Sequence, residues 1–163
     1  MGNRVKLAFP EQMYNAIASA ETGGEQNPYI RTKVRPPKGS TAFGPVQLTG
    51  TTAEDFVTRN QVSPEAAAFY RSRMQPIYKN FAYYGNEPNK PGYDKKWEYG
   101  GTGGFDPNVD AQGYKRLATD VMSSLWNKAG GNPERFIQLW RGEDRGADPR
   151  YFNNVMSHFK GMQ

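Results

Sequence analysis

The stretch IASAETGGEQNPY, Ile17 to Tyr29, places a glutamate where a helical pattern runs into a pair of glycines. Upstream, Met13, Tyr14, Ile17, Ala18 and Glu21 recur at the three- and four-residue spacing of one helix face. Pro10 presets the start, and Gly23 and Gly24 supply the stop. The spacing predicts a first helix from about Glu11 to Glu21, with Glu21 at its C-terminal end on the side of Ile17 and Ala18. The helix dipole slightly disfavours an acid there, so the placement asks for a reason. Two reasons are open. Glu21 is a solvated charge near a helix end, or it is a partly buried carboxyl whose desolvation raises its pKa towards the range useful for proton transfer.

Composition narrows the chemistry before any motif is named. The chain has 163 residues, enough for one domain with a real core, and although only 36 % are hydrophobic, 9 Phe, 10 Tyr and 3 Trp supply core area. With no cysteine, disulfides, thiol nucleophiles and thiolate metal sites are excluded. The single histidine, His158, cannot build a His-rich metal site and reads as a surface or packing residue near the C-terminus. Acid–base chemistry therefore falls mainly to carboxylates, and no cofactor or metal is expected. No apolar run approaches the roughly 18 residues of a membrane span. The opening MGNRVKLAFPEQ lacks the apolar core of a signal peptide, and Lys6 spoils a myristoylation pattern. The net charge of +5 favours an anionic partner, yet the basic residues are scattered and only RTKVRPPKG, Arg31 to Gly39, is dense. No nucleic-acid-binding motif accompanies them, so a nucleic-acid partner is not expected.

Outward from the first helix, residues 25–50 hold the tandem Pro36 and Pro37, several glycines and no sustained period, and read as a long ordered loop. A short helix is expected from Thr51 or Thr52, with Glu54 and Asp55 in its first turn. Ser63 caps a third helix whose first position is Pro64, and Pro76 inside that pattern should kink it. Residues 85–110 are rich in Gly, Pro, Asn and Asp and read as a second long loop, with room for a short hairpin. A helix returns from about Ala111 to Lys128, with Leu117, Val121 and Leu125 on one stripe. Asn132–Pro133 and Asp148–Pro149 open two more, near 133–140 and 149–160. No repeat is present. The expected fold is mainly α, a single domain over 1–163 with two long loops.

Two further stretches carry polar groups in apolar settings. In TAFGPVQLTGTTAEDF, Thr41 to Phe56, Gln47 is enclosed by apolar residues and must find hydrogen-bond partners, in its own loop or in a ligand. In RFIQLWRGEDRGADPRYFNNV, Arg135 to Val155, Trp140 and Tyr151 could stack on sugar faces or fill the core.

Together these pieces resemble the lysozyme-like lytic transglycosylases. The resemblance rests on ETGGEQNPY, with Glu21 and Asn27–Pro28, and on AFGPVQLTGTTA, with Gly44 and Gln47. LWRG…ADPRYFNNV looks like a divergent form of the family's late Ala-Tyr-Asn segment, with Tyr151 opening the last helix and Trp140–Arg141 standing where Tyr-Asn is usual. It covers residues of both ends, roughly 17–56 and 135–155, and departs from the pattern in Glu-Thr-Gly-Gly for Glu-Ser-Gly, in Pro45–Val46 for Leu-Met, and in the longer loop containing RTKVRPPKGS. The resemblance implies a lysozyme-like α+β fold and cleavage of the β-1,4 bond between N-acetylmuramic acid and N-acetylglucosamine. Glu21 would be the acid, and Gln47, Gly44, Trp140 and Tyr151 would meet the glycan. It further implies a phage-encoded, monomeric protein, working on the cell wall from the virion or from the host cytoplasm, with other virion proteins as further partners.

Where a hydrolytic phage lysozyme would place an aspartate, this chain has Ile30, and after Glu25 the next acid is Glu54. That favours a single-acid route ending in a 1,6-anhydro ring. Glu25 could assist Glu21 or be an ordinary loop charge, and Asp94, Glu98, Asp106 or Asp110 could approach in space and make the enzyme a water-using lysozyme. The alternative of another class is a non-catalytic glycan-binding or structural virion module.

Overall fold

A computed structural model describes residues 6–23, 29, 42–75, 77, 105–142 and 149–161. Six α-helices account for most of them: α1 (Glu11–Thr22), α2 (Gly50–Thr58), α3 (Pro64–Phe69), α4 (Pro107–Lys128), α5 (Pro133–Arg141) and α6 (Pro149–Gly161). Among the described residues the only β pairing is one antiparallel bridge between Phe43 and Leu48. None of these helices is long and apolar enough to cross a membrane. The expected loops over 25–50 and 85–110 fall largely outside the described residues, as do Glu25, Asp94 and Glu98.

Short-range chemistry sets most of the boundaries. The side chains of Thr49, Ser63, Asp106 and Asn132 each accept a backbone N–H of the first turn they precede. Proline follows three of those caps in the first turn, where its missing N–H would be unpaired in any case. Gly23, at φ 57°, closes α1 by donating its N–H to the Ser19 carbonyl. Two expectations need correction. Because α2 begins at Gly50 with Thr49 as its cap, Glu54 and Asp55 lie in its second turn, not its first. The fourth helix begins at Pro107, four residues earlier than expected, because Asp106 caps it.

The α3 helix does not continue in α geometry. Over Tyr70–Met74 the turn widens, and the Gln75 N–H reaches the Tyr70 carbonyl five residues back. A proline at 76 would press its ring against the carbonyl of Ser72 in a regular helix, and the wider turn directly precedes it. The kink expected at Pro76 itself lies outside the described residues. The widened turn buries Tyr70 and Met74 and aims Arg73 at Asp110 near the start of α4.

The core is one cluster to which all six helices and the 43–48 turn contribute. Met13, Ile17, Leu117, Met122, Phe136, Ile137 and Val155 are fully buried, each worth about 1.5–3 kcal/mol relative to exposure. The helix α4 contacts α2, α3 and α5. Phe9, Trp126 and Phe136 form a three-ring cluster, with centroids 5.4–5.9 Å apart, that secures the N-terminal approach to α1. The helix α1 packs along α6, and this contact joins the two ends of the chain.

Candidate functional site

Glu21 is the next-to-last residue of α1, one turn beyond Ile17 and therefore on the buried side of that helix. Its side chain is 17 % exposed, and burial pushes its carboxyl above the ordinary range. Two neighbours from the other end of the chain oppose that shift by favouring the charged form: the Tyr151 hydroxyl and the Arg141 guanidinium. Burial wins. Glu21 is therefore a partly buried carboxyl with a raised pKa, not a freely solvated charge.

Arg141 is the last residue of α5, and its Nη1 stands 3.5 Å from Glu21 Oε1. A well-formed charge-assisted bond is about 2.7–2.9 Å, so this pair is loose. The same guanidinium lies over the Tyr151 ring, 4.0 Å from its centroid, in a cation–π contact. The Tyr151 hydroxyl is enclosed and makes no hydrogen bond of ordinary geometry among the described residues. Burial, and then the nearby Glu21 charge, push its ionisation well up, so it stays a neutral hydroxyl facing the acid. Tyr151 has one ring face covered by Arg141 and its polar end turned towards Glu21.

The second half of the site is a tight turn. Phe43 and Leu48 pair, the Phe43 N–H donating to the Leu48 carbonyl at 3.0 Å, and residues 44–47 close the loop between them. Gly44 sits at φ 83°, and a Cβ there would collide with the Tyr114 ring, so the position admits only glycine without rearrangement. Pro45 follows at the position where its fixed φ suits a turn. Gln47 takes the left-handed conformation at φ 54°, which non-glycine residues seldom do and which concentrates at functional sites. Its backbone N–H and its side-chain Nε2 both donate to the Gly44 carbonyl, each at 3.0 Å. Gln47 therefore ties its own loop down, and it also lines the neighbouring cleft.

That cleft, about 170 Å³, lies between the turn, the start of α2 and the end of α5. Gln47, Thr49, Thr52, Trp140 and Arg141 line it. Trp140 is half-buried and packs on the core with its other side. Arg141 is the link: it borders the cleft and pairs with Glu21, so the acid and the Gly44–Gln47 turn belong to one region. In the sequence Arg141 stands out only as a departure from a motif. A cation in the last turn of a helix reads as a simple complement to the dipole, and nothing local reveals that its partner is 120 residues away.

Two acids considered as second carboxylates are committed elsewhere. Asp106 caps α4, accepting the Asn108 N–H. Asp110, only 4 % exposed, receives Arg73 on both oxygens, at 2.9 and 2.7 Å, and accepts the Asp106 N–H as well. Among the described residues no group of three His, Cys, Asp or Glu side chains is placed to hold a metal ion. No protein-family model, curated protein or solved structure matches the chain.

Proposed function

We propose that the chain is a lysozyme-like peptidoglycan lytic transglycosylase with Glu21 as its single general acid and base. The observation that carries the reading is the largely buried Glu21, its pKa raised by burial, joined through Arg141 to a cleft lined by Gln47, Thr49, Thr52 and Trp140. A polar cleft with an aromatic wall suits a sugar, and a carboxyl whose pKa burial raises suits protonation of a glycosidic oxygen.

In the proposed reaction Glu21 gives its proton to the oxygen that leaves C1 of the N-acetylmuramic acid unit, and the C1–O bond breaks. The C6 hydroxyl of the same unit then bonds to C1 as its proton passes to the Glu21 carboxylate. No water is consumed, the acid is restored, and the product end is a 1,6-anhydro sugar. The Tyr151 hydroxyl stabilises Glu21 between the two transfers, while its carboxylate is charged. The engagement of Asp106 and Asp110 in structural bonds removes two of the candidates for a second, hydrolytic carboxylate. The enzyme would act as a monomer on glycan strands of the cell wall, delivered by a phage virion or from the host cytoplasm.

Digestion of purified peptidoglycan by the wild type and by Glu21→Gln, with mass spectrometry of the products, tests the reading. Anhydro-muropeptides are expected from the wild type and next to none from the variant, which should remain folded. Reducing ends would mean hydrolysis. Binding without products would mean a glycan-binding or structural virion module, and an active Glu21→Gln protein would falsify the assignment of the acid.

A further inference from the structure

We infer that Arg141 makes the cleft selective for a glycan bearing a carboxylate, by turning from Glu21 to the bound acid. The inference rests on the glycan-cleaving reading and adds to it what the glycan must carry.

Among the described residues lining the cleft, Arg141 is the only charged one. An anionic ligand entering there meets a cation, whereas a neutral sugar gains nothing from the charge. The guanidinium is available for the exchange. It is 33 % exposed, and it holds Glu21 by one nitrogen at 3.5 Å, well short of a two-bond fork. Stacking on the Tyr151 ring keeps its plane oriented while its edge changes partner. Five donors on a rigid fork match a carboxylate better than the present single long contact does.

The exchange has a second effect on the same site. The groups acting on Glu21 are Arg141 from α5 and Tyr151 from α6, and both favour its charged form. Drawing the guanidinium onto a substrate acid removes one of them and lets burial raise the proton affinity of Glu21 further. An acid-bearing strand thereby readies the group that cleaves it. The carboxylate could stand on the lactyl ether of the sugar ring or on a short peptide attached to that ether. The chemistry at Arg141 is the same.

The test uses three S-linked, uncleavable tetrasaccharides of alternating N-acetylglucosamine and N-acetylmuramic acid. One carries free lactyl carboxylates, one carries their methyl esters, and one carries them as amides of L-Ala–D-Glu. Each is titrated by calorimetry into the full chain as wild type, Arg141→Gln and Arg141→Lys. An acid-bearing ligand is expected to bind the wild type about tenfold more tightly than the ester. Arg141→Gln should bind all three at the ester's affinity, and Arg141→Lys should keep part of the preference. Whichever acidic ligand shows the gain identifies the source of the carboxylate. Equal affinity of the wild type for all three overturns the inference and leaves the glycan reading standing. So does a preference that survives in Arg141→Gln. Failure of all three to bind takes down both. Should Arg141→Gln not fold, the acid-against-ester comparison in the wild type and in Arg141→Lys decides alone.

Discussion

The Tyr114 hydroxyl donates to the Phe43 carbonyl at 2.6 Å, joining residues 71 positions apart. The same oxygen accepts the Leu48 N–H at 3.4 Å, so one side chain from α4 grips both arms of the turn that presents Gln47. The ring leaves no room for a Cβ on Gly44; Tyr29 and Phe43 pack against it and Phe105 packs against them, with centroids 5.1–6.4 Å apart. The turn is therefore shaped from the core, not by its own residues alone.

Removing that hydroxyl should loosen the turn. Tyr114→Phe leaves the buried Phe43 carbonyl without its donor, a loss of about 1–3 kcal/mol. Gly44→Ala should be worse, because it adds a collision with Tyr114 to a left-handed backbone strain of about 1–2 kcal/mol. Thermal melts of the two variants against wild type check both, and an unchanged midpoint for Tyr114→Phe would show that the grip contributes nothing.

The strained backbone at Gln47 separates its two roles. Gln47→Gly relieves the left-handed conformation and loses the Nε2 bond to Gly44, effects of opposite sign and each about 1 kcal/mol. Its melting midpoint should stay near that of the wild type while peptidoglycan cleavage falls. Gln47→Val, β-branched at positive φ, should lose stability as well. Full cleavage by Gln47→Gly would reduce the amide to a loop tie.

The pair between Asp110 and Arg73 makes stability depend on acid pH. Hydrogen bonding from Arg73 holds the Asp110 carboxyl below its ordinary range. A depressed carboxylate contributes stability above its unfolded value, near 3.8, and loses it as the pH falls through the lower folded value. Asp110→Asn should therefore melt below the wild type at pH 7, and the two midpoints should converge as the pH drops below about 4. A constant gap from pH 7 to pH 2 would show that the charge is not the cause.

Much of the helical framework is legible in the residues themselves. Ser63–Pro64 and Asn132–Pro133 announce their helices because caps and first-turn prolines act over three or four residues. The same signal at Asp106–Pro107 is hidden inside a run of Gly, Pro, Asn and Asp, where each residue equally suits a loop. Asp110 then passes for a candidate acid, since nothing near it in sequence reveals Arg73, 37 residues away. The widening at Tyr70–Met74 is legible only as a proline expected to disturb the helix.

For the candidate site, the sequence by itself determined that a glutamate ends a first helix on the side of its apolar residues, that glycines stop that helix, and that Gly44 and Gln47 belong to a loop. These follow from helix period and turn chemistry, which are local. The tertiary structure alone decided that Glu21 is largely buried, that Tyr151 turns its hydroxyl towards it, and that Arg141 connects it to the cleft. The physical reason is that a carboxyl's proton affinity and a cation's partner depend on whatever packing brings within a few ångströms. Here the packing of α1 on α6 brings residues of the far end of the chain to Glu21.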